Sequence, residues 1–331
     1  MHHQVFGMQC RPAVTTGVVV KIMNGETGAS NFFVRHANHP VFRNIITQYL
    51  YFTLMNIKKL LFFVILIGLI SSFKPPTITW VAIGDSITYL NEHIDETGNR
   101  ITKGYLTRVT EKLPHIQYTN QGHNGWTSGN IATEIEKLRI TKADVYSVFL
   151  GTNDWWQGRS VGTLEDYQNN AGNATLYGSF RIIINKLRSL NADAKIILIT
   201  PMQRGDFVYI DDMTNNAYGS YKAKAGQRLE QFADAIIAIG KYEKLTVIDL
   251  YHNSGITLKN IVNYKRLKDP ETGDYNNYPY PKYAGIPFSP VTDEYPYPVG
   301  AINMTYDGLH PSDKGCTVIA DMLVKEMKKY R

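Results

Sequence analysis

The sequence predicts a single three-layer α/β/α domain for residues 75–331, with helices covering both faces of a parallel sheet. Two observations lead to this prediction. Short apolar runs alternate with longer amphipathic stretches, as in chains built from successive strand and helix units. The apolar runs are also uninterrupted, which is typical of parallel strands that are buried on both faces.

Five runs are predicted to form the strands, because each is short, apolar and rich in β-branched residues. The break at Pro75-Pro76 precedes the first of them and marks the start of the domain. In chain order, the predicted strands are Ile78–Ile83, Ile116–Asn120, Val145–Leu150, Lys195–Thr200 and Thr246–Leu250.

Amphipathic stretches between and after the strands carry apolar residues at helical spacing and are predicted to be helices. In the last of them, the apolar residues between Val318 and Met327 fall on one face, and Pro311-Ser312 is a typical helix start. The predicted helices are Lys103–Leu113, Gly129–Arg139, Tyr177–Leu190, Tyr221–Tyr242 and Ser312–Lys329.

The segment from Tyr264 to Tyr306 interrupts this alternation. It holds eight tyrosines and seven of the chain's 14 prolines. Proline at this density is incompatible with a helix or a central strand. Residues 264–306 are therefore predicted to form one long ordered loop.

The net charge of +6 belongs to the first part of the chain. Residues 1–74 hold seven Lys or Arg and a single acid, Glu26, whereas residues 75–331 hold 28 basic and 28 acidic residues. A formally neutral domain gives no support to an anionic partner. The sequence therefore predicts that nucleic acid is not a partner.

A pattern typical of an export signal begins at Met55. The basic pair Lys58-Lys59 is followed by eleven apolar residues, Leu60–Ile70, and then by small residues. A membrane-spanning helix needs about 20 apolar residues, so this run is too short. Residues 55–74 are predicted to be a signal peptide. The protein is then exported, to the periplasm or the cell exterior, and keeps no transmembrane helix once the signal is removed.

Export signals act at the extreme amino terminus, whereas 54 residues precede this one. We therefore expect translation to start at Met55 and residues 1–54 to be an upstream extension without a domain of their own. Two alternatives are an uncleaved signal that anchors the protein and a buried helix of a longer amino-terminal domain. Signal removal leaves Cys316 as the single cysteine, which excludes an intrachain disulfide and predicts a buried structural thiol.

Glycines and compact polar residues follow three of the predicted strands, in the runs Gly84–Ser86, Gly122–Gly125 and Gly151–Asp154. The carboxyl ends of parallel strands are where open α/β sheets place their sites. Far downstream, Asp307 stands three residues before His310 and close to the last helix. At this spacing the carboxylate can hold one ring nitrogen of the histidine, while the other nitrogen accepts a proton from a serine.

Taken in order, these four motifs resemble those of the SGNH hydrolase superfamily, also called GDSL esterases and lipases. The resemblance implies a flavodoxin-like five-stranded parallel sheet. It also implies hydrolysis of carboxylic esters through an acyl-enzyme, with no metal and no organic cofactor. By position, it implies Ser86 as the nucleophile and Asp307 and His310 as the rest of the triad. The oxyanion hole is implied to consist of the backbone N–H groups of Ser86 and Gly125 and the side chain of Asn153.

Two competing signals are interpreted as non-catalytic. Residues Gly158–Gly162 match the G-x-S-x-G pattern of the α/β-hydrolases, but they follow a loop and no helix start comes directly after them. We interpret this as a chance match in a surface loop. His123 is interpreted as a loop residue, because no carboxylate stands at a short fixed spacing from it.

Trp155 and Trp156 follow Asn153 directly and are candidates for substrate binding, because flat indole rings can stack on sugar rings. The alternative is that both rings pack a loop against the core. Residues 264–306 lead directly into Asp307 and are expected to form a wall or lid over the site, or else a structural belt.

Together with the export signal, these features favour an exported esterase that removes acyl groups, most simply acetyl, from a carbohydrate ester or another small-molecule ester. The insertion at residues 264–306 is rich in tyrosine instead of long aliphatic residues, which weighs against a lipid substrate. The alternatives are a lysophospholipase or other acyl-lipid esterase, a glycan O-acyltransferase, and a non-catalytic glycan-binding protein.

Overall fold

The structure, a computed structural model, describes residues 40–71 and 76–330 of the 331-residue chain. The chain divides into two units, Met1–Lys74 and Pro75–Arg331, of which the second is compact in its described residues. In the first unit, the described residues form one helix, α1, Pro40–Ser71. Among the residues whose side chains the structure describes, no helix is long and apolar enough to cross a membrane.

The two amino-terminal predictions fall partly outside the described residues. Helix α1 contains the beginning of the predicted signal peptide, residues 55–74, and residues 72–74 lie outside the description. Of the predicted extension, residues 1–54, only the part from Pro40 onward is described.

Nine strands are present in the described part of the second unit. They are β1 Ile78–Gly84, β2 Ile116–Gly122, β3 Val145–Phe149, β4 Lys195–Ile199, β5 Phe207–Val208, β6 Asn216–Ala217, β7 Thr246–Ile248, β8 Lys265–Lys268 and β9 Tyr275–Tyr278. Five of them form one parallel sheet in the order β2-β1-β3-β4-β7. These are the five predicted strands, and each begins at the predicted residue.

Helices cover both faces of this sheet. In the second unit they are α2 Ser86–Tyr89, α3 Tyr105–Lys112, α4 Ser128–Glu134, α5 Thr152–Trp156, α6 Leu164–Gln168, α7 Leu176–Leu190, α8 Leu229–Glu243, α9 Leu250–Asn253 and α10 Asp313–Met327. Buried residues of α3 and α10 belong to one hydrophobic cluster, and those of α4, α7 and α8 belong to the other. The predicted three-layer α/β/α fold is confirmed.

The side chains of β1 show how the two layers are formed. Trp80 and Ala82 pack in the cluster that contains α3 and α10, whereas Val81 and Ile83 pack in the cluster that contains α7 and α8. Successive side chains of a strand point to opposite faces, so a run of apolar residues fills both cores at once. This explains why the strand sequences do not alternate with polar residues.

The register of β1 brings three strand ends to the same edge of the sheet. Gly84, the last residue of β1, is paired with Gly122 at the end of β2 and with Phe149 at the end of β3. The loops that follow these strands therefore start side by side, and these loops carry three of the four predicted motifs.

Two predicted helices have a different end in the structure: α4 stops at Glu134 instead of Arg139, and α8 begins late. Helix α8 starts at Leu229, whereas the sequence pattern predicts a start at Tyr221. Ala225 and Gly226 have φ angles of 49° and 77°, in the left-handed region that a helix cannot include. The chain therefore makes a turn before α8, and Lys224 and Gln227 exchange backbone hydrogen bonds across it.

The prediction of a loop for residues 264–306 needs correction. The segment contains the antiparallel pair β8 and β9 and two short 3₁₀ turns, Lys282–Gly285 and Val299–Ala301. Its tyrosines Tyr283 and Tyr297 are fully buried in the cluster beneath α10. The prolines stand outside the paired strand residues, which is why a hairpin can form in a proline-rich segment.

Candidate active site

A cavity of about 470 Å³ lies at the edge of the sheet where β1, β2 and β3 end. Four residues from separate motifs line it: Ser86, Gly125, Asn153 and His310. The structure therefore brings together residues that are more than 200 positions apart in the chain.

Ser86, His310 and Asp307 form a continuous hydrogen-bonded chain. The Oγ atom of Ser86 lies 2.9 Å from Nε2 of His310. The Nδ1 atom of the same ring lies 2.6 Å from Oδ2 of Asp307. Both Asp307 and His310 are buried, whereas Ser86 is partly accessible from the cavity. In this arrangement the aspartate orients the ring, and the ring nitrogen facing Ser86 can accept its proton.

The turn that carries Asp307 and His310 is built around Gly308. The Oδ1 atom of Asp307 accepts hydrogen bonds from the backbone N–H groups of Leu309, at 2.9 Å, and His310, at 2.7 Å. Gly308 has a φ angle of 89°, and a Cβ atom at this position would lie 1.8 Å from the carbonyl oxygen of Asp206. Only glycine fits here, because both the backbone conformation and the close approach exclude a side chain.

Ser86 is held at the start of helix α2 by the residue before it. Asp85 is the N-cap, and its Oδ1 accepts the backbone N–H of Ile87 at 3.0 Å. Burial raises the pKa of Asp85 to about 6, although the bond from Ile87 opposes the shift. Gly84 precedes it, and a Cβ there would lie 2.0 Å from Oγ1 of Thr88. The chain can therefore turn sharply from β1 into α2.

The predicted oxyanion donors Gly125 and Asn153 also line the cavity. Gly125 adopts a φ angle of 72°, and its carbonyl accepts a hydrogen bond of 2.8 Å from Nε2 of Gln157. Nδ2 of Asn153 donates one hydrogen bond, of 3.0 Å, to the carbonyl of Trp126. An amide nitrogen carries two hydrogens, so Asn153 keeps a second donor for a ligand.

Two supporting residues were missed by the sequence analysis. Asp154 is buried and accepts hydrogen bonds from Oγ and N of Ser128, at 2.6 and 2.8 Å, and from Nε of Arg159 at 3.2 Å. These bonds join α5 to the start of α4. Gln157 directly follows α5 and holds the Gly125 loop through the hydrogen bond that it donates to the Gly125 carbonyl. Its position four residues after Asn153, on one helical face, is the signal that could have indicated it.

The two tryptophans have different environments. Trp156 lines the cavity, as expected for a substrate-binding residue. Trp155 is 0% exposed and packs in the core, where its Nε1 donates to the carbonyl of Gln227 at 3.0 Å. The expectation that Trp155 binds substrate is therefore not met by its position, because its ring does not reach the cavity.

The wall expected from residues 264–306 comes mainly from another segment. The hairpin of β5 and β6 supplies Phe207, Tyr209 and Ala217 to the cavity, whereas residues 264–306 supply only Tyr306 among its described lining residues. Instead, Ile286 and Phe288 from that segment line a second cavity of about 230 Å³. This smaller cavity shares Trp156, Phe207 and Ala217 with the first, so the two adjoin.

The residues interpreted as non-catalytic are not among the described lining residues of the cavity. Ser160 is exposed in a loop and does not line the cavity. His123 is half-buried and stacks on Trp126 with ring centroids 4.4 Å apart, and burial lowers the pKa of its imidazole. Cys316 is buried as predicted, which raises the pKa of its thiol to about 12. Among the described residues, no three His, Cys, Asp or Glu are grouped so as to hold a metal ion.

The parallel sheet and the polar cavity at its carboxyl edge define a three-layer α/β/α protein with a candidate active site at the strand ends. A family model for the GDSL-like lipase/acylhydrolase family matches residues 82–318. The chain belongs to this family, which confirms the resemblance seen in the motifs. It is accordingly a carboxylic ester hydrolase.

Solved structures agree with this assignment. A possible lipase from Chitinophaga pinensis is 64% identical, over 76% of this chain and 98% of its own, with a TM-score of 0.75. A protein from Lactobacillus plantarum is 18% identical, over 78% of this chain and 100% of its own, with a TM-score of 0.51. The second likeness concerns the fold alone. No match was found among curated proteins.

Proposed function

We propose that the protein is an exported serine esterase that removes acyl groups, most simply acetyl, from carbohydrate. The observation that carries this proposal is the hydrogen-bonded chain from Ser86 through His310 to Asp307, with 2.9 Å between Oγ and Nε2 and 2.6 Å between Nδ1 and Oδ2. This is the geometry that nucleophilic catalysis by serine requires.

In the proposed first step, Oγ of Ser86 bonds to the carbonyl carbon of the ester while its proton passes to Nε2 of His310. The bond to the alcohol then breaks, and Nε2 returns the proton to the departing alcohol. Water attacks the resulting acyl-enzyme in the same way, which releases the acid and restores Ser86. Asp307 keeps the ring oriented and stabilises its protonated form.

The negative charge that develops on the carbonyl oxygen needs fixed donors. The backbone N–H groups of Ser86 and Gly125 and the free N–H of Asn153 are proposed for this role. Loss of one such donor typically costs about 3 to 4 kcal/mol in the transition state. Gln157 and Asp154 support the proposal indirectly, because their bonds hold the Gly125 loop and helix α5 in place.

Carbohydrate is favoured by the lining of the cavity. Trp156 contributes an indole ring to the cavity wall, and Asn124, Gln157 and Tyr209 place hydrogen-bonding groups in the same cavity. Sugars present both apolar faces and hydroxyl groups, so this mixture suits them better than a purely apolar tunnel would. The adjoining second cavity leaves room for a further sugar unit.

Export is proposed from the basic pair Lys58-Lys59 and the apolar run after it. Amino-terminal sequencing of the native protein from the periplasm or the medium tests this. A mature terminus near residue 75 is expected, whereas a peptide from residues 1–54 in the native protein would contradict the proposed start at Met55.

Replacement of the nucleophile tests the mechanism. Ser86→Ala is expected to abolish hydrolysis of 4-nitrophenyl acetate with little change in the melting temperature, because its hydroxyl is bonded only to His310 among the described residues. Ser160→Ala is the matched control, since Ser160 is exposed and outside the cavity, and its activity should equal that of the wild type. Full activity of Ser86→Ala would refute the assignment.

The substrate class is tested with a chain-length series of nitrophenyl esters beside acetylated oligosaccharides. We expect the highest turnover with acetyl esters and with the oligosaccharides. Highest turnover with long acyl chains would identify an acyl-lipid esterase instead. Transfer of acetyl to an added sugar, seen as a new ester by mass spectrometry, would identify an acyltransferase.

A further inference from the structure

A buried cation that forms no ion pair with the described residues lies in the wall of the candidate active site. Arg204 is 1% exposed and lines the cavity. Its Nε and Nη2 atoms are buried, and neither has a hydrogen-bond partner among the described residues. Burial of a charge without a partner is costly, and proteins normally avoid it by pairing the charge.

The carboxylates whose charges act on Arg204 are Asp307, Asp206 and Asp85, and each accepts hydrogen bonds from other groups. Asp307 is bonded to His310 at 2.6 Å. Asp206 accepts from Nζ of Lys265 at 2.9 Å and from the hydroxyl of Tyr221 at 2.6 Å. Burial lowers the pKa of Arg204 to about 10, because these carboxylates compensate only in part. The guanidinium therefore remains charged at neutral pH.

Two indole rings flank this cation. The Cζ atom of Arg204 lies 5.7 Å from the ring centroid of Trp155 and 5.5 Å from that of Trp156. Aromatic faces attract a cation but do not neutralise it. The rings instead hold the guanidinium in place in the cavity wall.

Further positive charge lies around the same tryptophan. The Nζ atom of Lys224 is 4.2 Å from the ring centroid of Trp156, and Lys222 is 5.6 Å from that of Tyr218. Neither lysine forms an ion pair with a described residue. Glu96, the one acid among the described lining residues, accepts a hydrogen bond of 2.9 Å from Tyr89. Arg204 and Lys224 thus place two positive charges at the ring of Trp156.

We propose that Arg204 binds a carboxylate of the substrate, so that the enzyme selects acylated sugars of the uronic acid type over neutral ones. This inference rests on the proposed esterase function and deepens it. The carboxylate supplies the missing partner of the guanidinium, and the sugar ring lies against Trp156. Arg204 then determines specificity without taking part in bond cleavage.

The test compares two matched probes, a mono-O-acetylated methyl glucuronoside as the free acid and as its primary amide. The two differ only in charge at one group. The wild type is expected to prefer the acid by about 10-fold or more in kcat/KM. In Arg204→Gln this preference should disappear through a higher KM for the acid. Neutral 4-nitrophenyl acetate is measured beside both probes, so that any change in the acyl-transfer chemistry of the variant is separated from the loss of preference for the acid.

Two further variants separate charge from structure. Arg204→Lys keeps a positive charge and should retain part of the preference. Arg228→Gln removes one charge from a side chain that is 62% exposed and outside the cavity, and it should behave as the wild type. If Arg204→Gln fails to fold, the comparison of acid with amide in the wild type and in Arg204→Lys still tests whether the enzyme selects a carboxylate.

Three outcomes would overturn the inference. Equal rates for acid and amide in the wild type would refute selection of a carboxylate while leaving the esterase intact. An equal loss of kcat for both probes in Arg204→Gln would mean that the guanidinium stabilises the reacting oxygen. A preference for a sulfated sugar acetate over the glucuronoside would exclude a carboxylate as the ligand.

Failure of the esterase function itself has a different signature. If no ester is hydrolysed, calorimetric binding of free methyl glucuronoside to the wild type remains measurable. Binding that is lost in Arg204→Gln would support the anion site in a protein without catalysis. Absence of binding in both proteins would refute the inference as well.

Discussion

Asp85 directly precedes the proposed nucleophile, and its burial disfavours the charged form of its carboxylate. Burial raises its pKa to about 6, from an ordinary value of 3.8. The folded protein therefore binds this proton more tightly than the unfolded chain does. The resulting stability is fully present below pH 4 and is lost as the pH rises through 6.

Asp85→Asn should consequently raise the melting temperature at pH 8 and change it little at pH 4, because the amide oxygen can still accept the N–H of Ile87. Thermal melts at pH 4, 6 and 8 measure this. Asp212→Asn is a control of opposite sign, since hydrogen bonds from Thr214 lower the pKa of Asp212. The stabilisation that the charged Asp212 carboxylate provides is present above its ordinary pKa of 3.8. Asp212→Asn should therefore lower the melting temperature at pH 8. An equal rise in melting temperature at pH 4, 6 and 8 for Asp85→Asn would show that the buried charge of Asp85 is not the cause.

Asn153 offers a test of the oxyanion hole at the scale of a single group. Asn153→Ala is expected to lower kcat by ~100-fold or more with little change in KM, because the lost hydrogen bond forms only in the transition state. Steady-state kinetics with 4-nitrophenyl acetate measure both constants, and a thermal melt checks the fold. A rise in KM alone would make Asn153 a binding residue.

At the scale of elements, the turn between Asp307 and His310 depends on its glycine. Gly308→Ala should lower both stability and kcat, because a Cβ there meets the carbonyl of Asp206 and displaces the turn. Gly226→Ala is the matched control. Gly226 has a φ angle of 77°, but a Cβ there has no neighbour within 4 Å, so this variant carries only the backbone cost of about 1 to 2 kcal/mol for a side chain in the left-handed region.

Thermal melts and steady-state kinetics of the two glycine variants separate the steric clash at position 308 from the backbone cost that both variants carry. The difference between them reports the steric clash, since both carry a similar backbone cost. Equal melting temperatures, with unchanged kcat in Gly308→Ala, would show that the turn tolerates a side chain.

Strands and helices differ in how far they could be predicted. All five sheet strands begin where their apolar runs begin, because burial on both faces requires such runs. The start of α8 was predicted too early, since the pattern from Tyr221 is amphipathic but Ala225 and Gly226 leave the helical region. The hairpin of β8 and β9 was missed, because the prolines around it suggest a loop.

At the scale of the whole molecule, the positive charge and the catalytic unit are separate. Residues 75–331 are formally neutral and form a compact unit of their own. A protein of residues 75–331 is expected to unfold cooperatively and to have the same kcat/KM as the full chain. Its isoelectric point should fall below the value of about 9.0 for the whole sequence. Thermal melts, kinetics and isoelectric focusing measure these properties, and loss of cooperative unfolding would show that the first unit is needed.

The sequence by itself determined the α/β/α fold, the family and the residues proposed for the triad, because these follow from local periodicity and short motifs. The tertiary structure decided which side chains face the cavity. It buried Trp155 against Gln227, 72 residues away, and left Trp156 in the wall. It also left Arg204 without an ion pair among the described residues, where Asp206 is engaged by Lys265. Such outcomes depend on packing between distant segments, which neighbouring residues in the chain do not encode.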